Sequence, residues 1–132
     1  MTVVALVMLV GCSALALSAL HGRQASGTAS LHEAVSAATL YAADSGAQIA
    51  ANRLFYPAVA TSSANSACDA MNPLNVSFTA AGLNGCSAAI TCTRRTAPGG
   101  SRSFYEISSQ GSCGTGDAQS QRTIDLTSFL DD

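Results

Sequence analysis

Three patterns of hydrophobic and polar positions follow one another along the chain. Met1 to Leu20, MTVVALVMLVGCSALALSAL, is apolar and carries no charge; the first charged side chain is Arg23, after a neutral His21. As a helix, a run of about 20 residues reaches about 30 Å, enough for a bilayer core. A helix apolar all round belongs in lipid or among other helices. HGRQASGTAS follows, in which Gly22 and Gly27 each weaken a helix by about 1 kcal/mol relative to Ala.

The second pattern runs from Ser30 to Tyr56, SLHEAVSAATLYAADSGAQIAANRLFY. It is rich in Ala, the best helix former. Ser30 with Glu33 resembles a capping box, so a fresh helical start there is one reading. Leu31, Val35, Ala38, Ala42 and Ile49 recur at helical spacing and predict one apolar stripe. Pro57 ends the helix. The two stretches together predict one helix of about 55 residues with a soft middle. Residues 1–29 form its apolar half with the Gly-softened joint, and residues 30–56 its amphipathic half.

The third pattern, over residues 57–132, has the period of strands. Ala58 to Asn72 reads as a loop carrying Cys68. Val76-Ser77-Phe78 reads as a short strand, and Ser87 to Arg95 as a longer one. Ala97-Pro98-Gly99-Gly100 reads as a turn, and Phe104 to Ser109 as the returning strand. Gly111 to Gly116 reads as a break, and Gln121 to Leu130 as a last strand with Ile124 and Leu126 on one face. The fold class predicted is α+β.

Composition sharpens this picture. The chain has 132 residues, no Trp and many small side chains, so the core is thin and needs staples. Cys68, Cys86, Cys92 and Cys113 all lie beyond the apolar run, which predicts two disulfides in an oxidising compartment. Strand parity about a Gly99-Gly100 turn sets Cys92 opposite Ile107 and Cys86 opposite Cys113. That favours Cys86–Cys113 with Cys68–Cys92, and the sequential pairing Cys68–Cys86 with Cys92–Cys113 stays open. The net charge is −2, with 11% charged residues. All six basic residues are Arg, and no basic patch points to nucleic acid. Arg94-Arg95 reads as a solvated strand edge, and Asp131-Asp132 as a solvated tail.

The apolar run has further readings. A removable signal carries a basic flank and a shorter apolar stretch; neither is present. Leu9-Val10-Gly11-Cys12 fits a lipobox, which makes an exported lipoprotein or single-span binding protein lipidated at Cys12 the alternative. Against it, Ser13 to Leu20 stays hydrophobic. A small apolar helix residue is the plainer reading of Cys12.

No residues assemble a catalytic constellation, so no enzyme activity and no cofactor are expected. His32 beside Glu33 reads as a solvent-facing helix residue. The serines lack a nucleophile-elbow context, and Gly114-Thr115-Gly116-Asp117 is too short for a calcium loop. The cysteines form no CxxC pair and no histidine lies near them, which disfavours zinc.

Tyr41-Ala42-Ala43-Asp44-Ser45-Gly46 resembles the AAxSG element late in the stem helix of type IV minor pilins. Gly82-Leu83-Asn84-Gly85-Cys86, Cys92, Ser109-Gln110-Gly111-Ser112-Cys113-Gly114-Thr115-Gly116 and Arg122-Thr123-Ile124 resemble the carboxy-terminal pattern of the MshP-like group. That group belongs to the MSHA (mannose-sensitive haemagglutinin) pilus system, and the stem is also similar to PilX-like minor pilins. The resemblance spans nearly the whole chain. It implies a pilin-like fold, with a long N-terminal helix on a small antiparallel sheet with two disulfides. It implies a structural subunit that assembles with other pilins through Met1, Ala5, Gly22, Gly27 and Gly46. It implies residence in the inner membrane before assembly and in the extracellular filament of a Gram-negative bacterium afterwards.

Two departures matter. The short basic leader of prepilins is missing, so Met1 is either the mature, N-methylated residue or the start of a truncated gene model. Ala5 stands where major pilins carry a glutamate, thought to pair with a neighbouring subunit's terminal amine. The expectation is therefore a low-copy subunit acting in pilus assembly, at the tip or in a priming complex, with surface attachment as a candidate role.

Overall fold

The computed structural model describes residues 2–56, 60–99 and 102–131, with side chains from Ala29 onward apart from Asp117. The elements in order are helix α1 (Thr2–Phe55), helix α2 (Thr61–Asp69) and strands β1 (Leu74–Ser77), β2 (Ser87–Thr96), β3 (Arg102–Cys113) and β4 (Ser120–Asp131). The chain divides into two units, residues 1–34 and 35–132. Among the described residues no helix is long and apolar enough to cross a membrane. The side chains of the apolar run lie outside the described residues.

The second unit is a helix-on-sheet layer. Its four strands pair antiparallel in the order β1-β2-β3-β4. Strand β3 shows why: Ser103, Tyr105, Ile107, Ser109, Gly111 and Cys113 are buried, while Arg102, Phe104, Glu106 and Gln110 are exposed. That period of two is a strand with one face covered. Thr96 pairs with Ser103 and Cys92 with Ile107, with Gly99 in the turn that follows β2. Gly99 takes a φ of 106° there, a conformation that favours glycine.

The helix covers the sheet with small residues. Thr39, Ala42, Ala43, Gly46, Ala47, Ala50 and Leu54 are buried, at the spacing of one helical face. This corrects the predicted stripe. Of its members only Ala42 is buried; Val35, Ala38 and Ile49 are half-buried, and Leu31, in the first unit, is 62% exposed. The larger side chains give way because the backbones approach closely. A Cβ on Gly111 would lie 2.5 Å from Thr39 O and 2.6 Å from Ala43 N.

Three further expectations are corrected. Gly111 does not break β3, which runs on to Cys113; an interior strand glycine marks close backbone approach. The predicted loop over 58–72 contains α2, whose Thr61, Ala64 and Cys68 are buried at helical spacing. Asp131 is no free tail; it ends β4 and is paired with Arg102.

Two clusters form the core. The larger joins Ala50, Leu54, Ala64, Met71, Ile90, Tyr105 and Ile107 around Cys68 and Cys92. Phe55 meets Tyr105 edge to face with ring centres 6.1 Å apart. The smaller sets Ala42 against Cys86 and Cys113, flanked by Val35, Ala38, Phe78 and Leu83.

Candidate functional site

Disulfides join Cys68 to Cys92 and Cys86 to Cys113, the pairing that strand parity favours. The first ties α2 to β2. The second lies where β2 and β3 pair, beside Ala42. With partners separated by 24 and 27 positions in sequence, each bond restricts the unfolded chain by about 3 kcal/mol in the loop-entropy account. A core this short of large side chains depends on them.

Gly46, on α1, is buried against the sheet. A Cβ there would meet Ser109 Oγ and lie 2.7 Å from Ala88 Cβ. Expected to face other stems, this glycine is occupied by its own sheet. Ser109 Oγ, fully buried, has no hydrogen-bond partner in the structure. The seam was half legible in sequence: AADSG signals close packing, but nothing in it names Gly111 or Ser109 as the opposing wall. Met1, Ala5, Cys12, Gly22 and Gly27, the other predicted stem residues and the lipidation candidate, lie outside the residues with described side chains.

A polar clamp went unforeseen. The Asn72 carboxamide donates to Cys92 O (2.7 Å) and Cys68 O (3.3 Å), and its Oδ1 accepts from Cys92 N (2.7 Å). An amide side chain thus stands in for a continuation of β1 ahead of Leu74 and satisfies both backbone groups of Cys92. The Tyr105 hydroxyl hydrogen-bonds Asn65 Oδ1 at 2.8 Å, tying α2 to β3. Asn and Tyr positions announce no partner in sequence, so neither contact could be read there.

The outer sheet face, away from the helix, is polar with an aromatic end. Thr93, Glu106 and Thr127 form one cross-strand row, and Arg95, Phe104 and Phe129 the next. A shallow hollow of about 320 Å³ lies over these rows. Phe104 and Phe129 have ring centres 6.3 Å apart, and the Arg102 guanidinium sits 5.3 Å over Phe129. Arg102 forks onto both Asp131 oxygens, with Nη2 to Oδ2 at 2.9 Å. Hydrogen bonding to Arg102 holds the Asp131 carboxyl below its ordinary value, and the same bonds raise Arg102. Both groups are half exposed, so the pair adds little stability. Arg94 pairs with Asp69 at 3.1 Å and belongs to the solvated edge predicted for it.

His32 is exposed on its helix. Among the described residues no group of three or more His, Cys, Asp or Glu side chains comes together. What the surface offers is hydrogen bonding, stacking and strand pairing. Comparison with protein-family models, curated proteins and solved structures finds no match to this chain.

Proposed function

We propose that this chain is a structural subunit of a type IV pilus, a minor pilin of the MshP-like kind acting in pilus assembly at the tip or in a priming complex. The observation that carries the reading is the seam at Gly46 and Gly111, where a helix of small residues is seated on a disulfide-stapled antiparallel sheet. That helix continues an apolar run without charge. In this reading the run sits in the inner membrane and then packs with the stems of other pilins in an extracellular filament. Apolar surface stays buried before and after transfer, so the hydrophobic cost of assembly is small. The sheet unit faces solvent, and its outer face is a candidate surface for attachment.

The tetrapeptide Leu9-Val10-Gly11-Cys12 favours one second reading, a lipoprotein anchored at Cys12. Intact-mass analysis of the natural protein separates the two. The pilin reading expects a methylated amino terminus at the head of the apolar run, and a diacylglyceryl group on an N-terminal Cys12 overturns it.

A further inference from the structure

The two edges of the sheet are finished differently. β1 is four residues long, and ahead of its first residue the Asn72 carboxamide occupies the backbone groups of Cys92 on that side of β2. At the opposite edge, β4 pairs with β3 over twelve residues in one unbroken register, with neither bulge nor proline. Proteins ordinarily blunt an edge of this kind.

The Asn72 bonds fix the phase of the ladder. Cys92 turns its N–H and C=O toward β1, so Ile107, its partner on β3, turns its own toward β4. By the same alternation Leu126 answers Ile107, and the odd-numbered residues of β4 turn their backbone groups outward. These are Gln121, Thr123, Asp125, Thr127, Phe129 and Asp131, and all six are exposed. On the helix side of the same strand Ile124 and Leu130 are half-buried and Leu126 is 37% exposed, which leaves an apolar rim along the edge.

We propose that β4 is a docking edge for an extended strand of a different polypeptide, one with a basic residue opposite Asp125 and apolar residues at the helix-side positions. Outward N–H and C=O groups at alternate residues are matched by an added strand. The rim of Ile124, Leu126 and Leu130 asks for apolar side chains on one face of that strand. Asp131 is already held by Arg102, so among the described residues Asp125 is the acid on this edge left without an ion pair. A second copy of the chain fits poorly: antiparallel self-pairing about the middle of β4 sets Asp125 against Asp125, and like charges directly opposite are destabilising. The inference goes beyond the pilus reading and does not depend on it.

The test uses the full chain in detergent micelles and two synthetic probes: a peptide copy of residues 120–131, and the same peptide with Asp125→Lys. The lysine peptide is expected to bind about tenfold more tightly than the aspartate peptide. It should slow hydrogen exchange at the amides of Thr123, Asp125 and Thr127, and lose binding when its alternate amides are N-methylated. In the protein variant Asp125→Lys, altered at an exposed position, the order of the two peptides should reverse. Equal affinities, unprotected edge amides, or a chain already dimeric through β4 before peptide is added would each overturn the proposal.

Discussion

At Gly46 two residue-scale effects oppose each other. Alanine would improve helix propensity by about 1 kcal/mol. Its Cβ would also lie 2.7 Å from Ala88 Cβ, against a wall of β-sheet. Overpacking of that kind costs about 1–3 kcal/mol, so packing outweighs propensity. Gly46→Ala is therefore expected to lower the denaturant midpoint with an unchanged m value; a higher midpoint would mean that the helix does not bear on the sheet there. Ser109→Ala should act in the opposite direction. It removes a buried hydroxyl that has no partner, and an unsatisfied polar group costs about 1–3 kcal/mol. Chemical denaturation should show Ser109→Ala at least as stable as the parent, and the double variant should recover part of the Gly46→Ala loss. Strict additivity of the two would argue against their contact.

The charged pair at the end of the sheet gives a pH prediction. Asp131 has a depressed folded value because Arg102 bonds its carboxylate. Its small stabilising contribution is therefore present above the ordinary carboxylate range and fades as pH falls through the folded value. In Arg102→Ala, a carbon-13 NMR titration should find the Asp131 carboxyl shifted upward toward that ordinary range. An unmoved titration would show that Arg102 is not the cause.

Among the elements, β2 depends on a side chain for the end of its ladder. Asn72→Ala leaves the N–H and C=O of Cys92 without their partner, at a cost of about 1–2 kcal/mol. Hydrogen exchange should quicken at the Cys92 amide while the β3 amides facing β4 keep their protection. Uniform loss of protection over the sheet would instead make Asn72 a determinant of the whole fold. Legibility in sequence also divides by element. The β2–β3 register could be read because glycine at the turn and side-chain alternation both act locally, and they placed Cys92 opposite Ile107. Helix α2 could not: it is nine residues long, and its N-cap Ala60 makes no side-chain hydrogen bond, so no start signal marked it. Gly111 misled because a glycine inside a strand reads as a break until the helix against it is known. The helix stripe was misjudged for the same reason, since the close approach of the sheet selects Thr39, Ala43 and Ala50 over Val35 and Ile49. Which edge of the sheet stays open depends on strand order, which no local pattern carries.

On the scale of the whole molecule, the pilus proposal joins an apolar run to a sheet unit whose two disulfides and helix seam let it hold together with few large side chains. Two fates are open to that run, packing among stems or lipid attachment at Cys12. A filament subunit must leave the membrane with its stem; a lipid-anchored protein stays behind. The most direct measurement is therefore quantitative mass spectrometry of sheared, purified pili alongside the inner-membrane fraction of the same cells. The account predicts peptides from residues 54–94 in the pilus fraction, at low copy relative to the major subunit. Their absence from pili, with full retention in the membrane fraction, would contradict it.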